Sequence, residues 1–107
     1  MLNQCVLVGR VMELLPESNL MKIAVSRAYK NENGEYDTDI IAIHIFGGIA
    51  KNTCEYCSKG DVVGVKGRLE NRDSEMIIVA DKISFLSSHR SNEENEDDDY
   101  EDDIDNN

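Results

Sequence analysis

Two kinds of side chain with usable chemistry are interleaved along this chain. Arg10, Arg27, Lys30, Lys51, Lys66, Arg68 and Arg72 supply positive charge, and most of them fall on expected strands or beside strand ends. Tyr29 stands two residues after Arg27, and Phe46 closes a run of alternating apolar residues. Cations that track a phosphate backbone, together with aromatic faces for bases, are what a single-stranded nucleic acid requires. Each cation taken singly is an ordinary solvated charge; the combination is what points to a ligand.

Other chemistry is poorly supplied. Cys54-x-x-Cys57 is half of a zinc site, with no second CxxC or HxxxH to complete it. Both cysteines fall on the inner stripe of an expected helix, where a thiol behaves as a small apolar side chain. His44 and His89 are far apart, and no Ser-His-Asp or Cys-His arrangement or glycine-rich phosphate loop is present. The expectation is a non-enzymatic protein with no cofactor and no metal.

The charge is divided sharply. All 11 Lys and Arg residues lie at or before Arg90, while residues 91–107 (SNEENEDDDYEDDIDNN) hold 10 of the 22 carboxylates and no cation. Residues 1–90 are therefore nearly neutral, and the tail carries almost all of the net charge of -11. A pI of about 4.4 argues against a nucleic-acid partner only if this division is ignored. The expected organisation is one domain over 1–90 and a disordered acidic tail over 91–107, since like charges with two apolar residues favour an extended chain. An odd set of three cysteines, Cys5, Cys54 and Cys57, fits a reducing compartment. The opening MLNQCVLVGRVMELL has no cationic leader before a long apolar run, and no stretch approaches a membrane span. The expected location is cytoplasmic, with no membrane partner.

The elements that must position these residues read as strands with one helix. Residues 5–12 form an apolar run interrupted by Gly9. Residues 20–29 alternate Met21, Ile23 and Val25 against Lys22, Ala24 and Ser26. Asn33-Gly34 predicts a type I′ hairpin turn. In residues 36–46, Ile41, Ile43 and Ile45 share one face; Tyr36, Thr38, Ile40, Ala42, His44 and Phe46 share the other. Gly47-Gly48 ends that strand, and residues 49–58 predict a short helix with Ala50, Cys54 and Cys57 inward. Residues 61–69 form a fourth strand, 70–75 a polar turn, and 76–86 a closing strand bulged near Asp81-Lys82. The order β-β-β-α-β-β is that of a five-stranded Greek-key barrel of the OB type: all-β with one short helix.

The segments MLNQCVLVGRV, AVSRAYKNENGEYDTD, VVGVKGRLENR and ADKISFL, with the Y-C-x-K-G-D helix exit, resemble the bacterial single-stranded DNA-binding proteins of replication over nearly all of residues 1–87. The resemblance implies an OB fold, sequence-tolerant binding of single-stranded DNA, and homo-oligomers, dimers or tetramers. It also implies a nucleoid-associated location and an acidic tail that recruits replication or repair proteins. Tyr29 and Phe46 match stacking positions, and Ile40 falls where a tryptophan is often found. Ser74 stands near a fourth aromatic position, in a shorter hairpin. The chain has no Trp, and DDIDNN lacks the family's terminal Pro-Phe hook. On this reading Arg27, Lys30, Lys51, Arg68 and Arg72 contact phosphates, Tyr29 and Phe46 stack on bases, and Ile40 lies on the same face. Self-association is expected through the short N-terminal strand at Cys5, Val6, Leu7 and Val8, because exposed strand edges pair with other chains. The competing readings are a protein-interaction module that has lost its stacking residues, and an RNA-binding OB domain.

Overall fold

The computed structural model describes residues 1–88; the expected domain boundary at 90 and the acidic tail lie outside the described residues. Its elements are β1 (Cys5–Leu15), a 3₁₀ turn (Pro16–Ser18), β2 (Leu20–Lys30), β3 (Tyr36–His44), α1 (Gly47–Tyr56), β4 (Val62–Arg72) and β5 (Glu75–Ser87). The strands close a barrel in the order β1-β2-β3-β5-β4. Closure is made by a short parallel contact, Ile43↔Ile78 and His44↔Val79. Every other pairing among the described residues is antiparallel. The architecture is the expected five-stranded OB barrel.

Period-two alternation places the core. Val11, Met21, Ile23, Ile43, Ile45, Val63 and Val65 are fully buried and come from β1 to β4, the residue after β3 included. Burying an apolar side chain of this size stabilises a fold by about 1.5–3 kcal/mol. α1 seals one end of the barrel with Ile49, Ala50 and Cys54 against the core, and Thr53 and Cys57 are buried beside them. The exit from α1 is stitched to β1: Gly60 N–H donates to Val11 O at 2.8 Å, and Val11 N–H to Asp61 O at 2.7 Å. Two glycines permit the tight curvature. A Cβ on Gly9 would lie 2.7 Å from the carbonyl oxygen of Ala24, and one on Gly67 would collide with that of Val79. Gly67 also borders the β4–β5 register shift, where Lys66 pairs with Lys82 and Gly67 with Ala80, leaving Asp81 as the expected bulge.

Several local expectations are corrected. β1 continues to Leu15 rather than stopping at Met12, because it pairs with β2 through Leu15↔Leu20. Asn33-Gly34 does not form a type I′ turn: only Gly34 has positive φ, at 79°. The Asn31 side chain organises a longer loop, its Oδ1 accepting from Asn33 N–H at 2.8 Å and Glu35 N–H at 3.0 Å. Asn and Asp side chains commonly build turns in this way. The residues with paired positive φ are Asp73 (52°) and Ser74 (65°), a two-residue turn between Arg72 and Glu75. Residues 70–72 are thus strand rather than turn. The β4–β5 ribbon extends there with its residues largely exposed, so no apolar alternation marks the strand. Gly47 and Gly48 open α1 instead of merely ending β3.

Candidate nucleic-acid interface

The outward row of β3 continues through the residues that follow it. Ile40 is 55% exposed and Phe46 37%, while Ile43 and Ile45 between them are fully buried. This places Phe46 outside the core. Tyr29, 65% exposed, lies near the end of β2, beside the register shift between Ser26 and Lys30. Lys30 pairs with Tyr36 across the hairpin, its ammonium 5.9 Å from the Tyr36 ring centroid. His44 and Phe46 stack with ring centroids 6.2 Å apart and planes at 26°. The Arg72 guanidinium sits 5.2 Å from the Phe46 centroid. Strand pairing therefore brings Ile40, Phe46 and Arg72 to one side, with Tyr29 and Lys30 at the hairpin end. Lys51 is exposed on α1, directly after the segment that carries Phe46.

Arg27, Arg68 and Arg72 already have carboxylate partners, whereas Arg10 donates to the Gly60 carbonyl at 2.6 Å. Arg27 makes a two-pronged contact with Asp39, 3.0 Å for each hydrogen bond, and lies 3.6 Å from Asp37. The hydrogen bond and charge of Asp39 raise the Arg27 pKa further, and Arg27 in turn holds the Asp39 carboxyl below the usual aspartate range. On β4, Arg68 Nε donates to Glu70 at 2.8 Å, and its terminal nitrogen reaches Asp81. Arg72 Nε donates to the other oxygen of Glu70 at 2.9 Å. The result is a row, Asp81–Arg68–Glu70–Arg72, that ends on Phe46. Hydrogen bonds from Arg68 and then Arg72 lower the Glu70 pKa. Solvent-exposed ion pairs of this kind contribute little to stability.

Sequence reasoning missed four neighbours of this face. Tyr36 and His44 were placed on the outward row but given no role. Lys22 and Lys59 join Met12, Glu13, Leu14 and Ile40 around an open groove of about 570 Å³, with Lys22 3.8 Å from Glu13. The signal available in sequence was the parity of Lys22 with Ala24 and Ser26. Lys59 reaches the groove only through the fold.

The residues expected at an oligomer contact lie on β1. Residues 5–8 pair with β4, Cys5↔Gly67 to Val8↔Gly64, whereas β1–β2 pairing begins at Arg10↔Ala24. Val6 and Val8 are well exposed; Cys5 and Leu7 are half-buried. The three cysteines are free thiols, and burial, reinforced by Asp61 and Cys54, pushes the Cys57 thiol up. That favours the protonated form, a weak nucleophile and a weak metal ligand. Among the described residues no helix is long and apolar enough to cross a membrane.

The closed five-stranded barrel with one helix is an OB fold, an architecture whose outer face carries oligonucleotide and oligosaccharide sites. The single-strand binding protein family matches residues 2–86, and the chain belongs to it. A single-stranded DNA-binding protein of Staphylococcus aureus (strain MRSA252) is 36% identical, covering 91% of this chain and 73% of that protein. Single-stranded DNA-binding protein B of Bacillus subtilis (strain 168) is also 36% identical, over 80% of this chain and 91% of its own length. The crystal structure of a mitochondrial single-stranded DNA binding protein from S. cerevisiae shares the fold, with TM-score 0.64, 22% identity, and 81% and 97% of the two chains covered. A small single-stranded DNA-binding protein from Streptomyces coelicolor shares it too, with TM-score 0.60, 22% identity, and 80% and 96% covered.

Proposed function

We propose that this protein binds and protects single-stranded DNA, tolerating any sequence, in replication, recombination or repair. The observation that carries the reading is the outward row of exposed Ile40, half-buried His44 and exposed Phe46, bordered by Tyr29 and by cations from β2, β4 and α1. Rings accept every base because each base has a π-face, so stacking confers affinity without sequence readout. Among the described residues Lys30 and Lys51 make no ion pair, so as phosphate contacts they exchange none. Arg27 and Arg68 reach phosphate by exchanging their carboxylate partners.

The protein acts as a homo-oligomer, a dimer or tetramer, joined through Cys5, Val6, Leu7 and Val8. It is cytoplasmic and works at the nucleoid, has no catalytic role, and uses its acidic tail to engage replication or repair proteins. Titration with oligo-dT and with duplex of equal length, across a salt series, tests the binding. The expected result is preference for the single strand, with a log–log salt slope of about -0.7 for each phosphate neutralised. Equal affinity for the two, or no dependence on salt, contradicts the proposal.

A further inference from the structure

Phe46 is covered on one side by a second planar group. The Arg72 guanidinium lies 5.2 Å from the ring centroid, inside the range of about 6 Å for a cation–π contact. Two features hold it there. The Asp73–Ser74 turn keeps β4 and β5 paired out to Arg72↔Glu75. Glu70, on the same outward row, accepts Arg72 Nε at 2.9 Å on Oε1, and Arg72 Nη2 lies 2.9 Å from that oxygen. Glu70 is itself anchored, since its Oε2 accepts Arg68 Nε at 2.8 Å and Arg68 also contacts Asp81.

This arrangement changes what Arg72 can do. A phosphate is gripped by an N–H edge of a guanidinium, and here the Nε–Nη2 edge already faces Glu70, which leaves only the Nη1 side for a phosphate. The side chain is nevertheless 49% exposed, so Arg72 stays reachable from solvent while it sits over Phe46. A guanidinium is planar, delocalised and weakly hydrated, and bases stack on it; an ammonium offers no such plane. We propose that Arg72, laid over Phe46, is itself the platform on which a base stacks, and that Glu70 is the residue that positions it. This inference rests on the single-strand-binding reading and deepens it: Phe46 supports the platform, and Arg72 meets the base.

The role of Glu70 has a sign that simple electrostatics does not share. Removing a carboxylate near bound DNA ordinarily tightens binding, because repulsion of phosphates is lost. If Glu70 positions Arg72, its removal weakens binding instead. The experiment is an oligo-dT titration of the full chain at fixed low salt, with a melting curve for each variant. Arg72→Ala and Arg72→Lys are expected to weaken binding by a similar factor, on the order of 10-fold, since both lose the plane. Glu70→Ala is expected to weaken binding too, and to have no further effect in the Arg72→Ala background, as coupled residues behave in a double-mutant cycle. Glu32→Gln, which removes an exposed carboxylate outside the Asp81–Arg68–Glu70–Arg72 row, leaves affinity unchanged or raises it.

Arg72→Lys alters an exposed position and stays assayable even if Glu70→Ala lowers the melting temperature. Wild-type affinity in Arg72→Lys, with a salt slope shallower by about 0.7 in Arg72→Ala, makes Arg72 a phosphate contact and overturns the inference. Tighter binding by Glu70→Ala overturns it as well. Absence of any oligo-dT binding by the wild-type chain overturns the single-strand-binding reading, and this inference with it.

Discussion

Two outer surfaces of the same barrel treat solvent in opposite ways. On the β2–β3–β4 side, exposed rings alternate with arginines, and each arginine has a carboxylate beside it: Arg27 with Asp39, Arg68 with Asp81, Arg72 with Glu70. On the β1 side, Val6 and Val8 stand exposed on a segment whose ladder is filled by β4 alone. The first surface meets a ligand by exchanging polar partners and stacking planes. The second gains only by excluding water and completing a strand edge. On the proposed function, one barrel thereby separates a surface for nucleotides from a surface for another copy of itself.

The separation can be broken from either side. Changing Val6 and Val8 together to Asp is expected to have the largest effect. Two valines worth about 1.5–3 kcal/mol each on burial correspond to a loss of association of roughly 100-fold or more. Size-exclusion light scattering checks it, and an unchanged mass moves the contact elsewhere. Next come Tyr29→Ala, which removes a stacking ring, and Phe46→Ala, which removes the support beneath Arg72; each is expected to weaken oligo-dT binding about 5- to 150-fold, the equivalent of roughly 1–3 kcal/mol per stacked base. Their melting temperatures should stay near wild type. A core phenylalanine would instead cost about 3–5 kcal/mol of stability.

Deleting residues 91–107 is expected to strengthen DNA binding several-fold at low salt. A tether holds the tail's carboxylates near the cations at an effective concentration on the order of millimolar. The gain should vanish as the Debye length falls from about 30 Å at 0.01 M salt to about 3 Å at 1 M. Paired titrations across that range check it; equal affinities throughout leave the tail without a part in DNA binding.

The smallest effect concerns Asp39. Its carboxyl is lowered by Arg27, so the pair stabilises the fold above the usual aspartate range and stops doing so as pH falls through the lowered value. The small melting-temperature difference between wild type and Asp39→Asn should therefore hold from pH 8 to about 5, begin to shrink near pH 4, and disappear only once the pH is below the lowered carboxyl value. A difference that persists in acid assigns Asp39 some role other than the ion pair.

What could be read from the sequence was local. Alternation in β3 separated Ile43 and Ile45 from Ile40 and Phe46 correctly, since side-chain parity depends on neighbours one residue away. The strand order and the bulge at Asp81 were legible for the same reason. The hairpin turns were not. The Asn31 side chain took over the loop expected at Asn33-Gly34, while Asp73-Ser74 adopted the paired positive φ without a glycine. The state of the cations was also hidden. Arg27 meets Asp39, Arg68 meets Asp81 and Arg72 meets Phe46 only because strand register and the closing ribbon bring them together. Composition counts a charge but does not show what already holds it.

The most direct test follows backbone and methyl resonances of the full chain during titration with oligo-dT. The account predicts that shifts concentrate on Tyr29, Lys30, Ile40, His44, Phe46 and Arg72, with Val6 and Val8 unmoved at constant oligomeric state. Shifts centred on Val6 and Val8, with the β3 row silent, would contradict it.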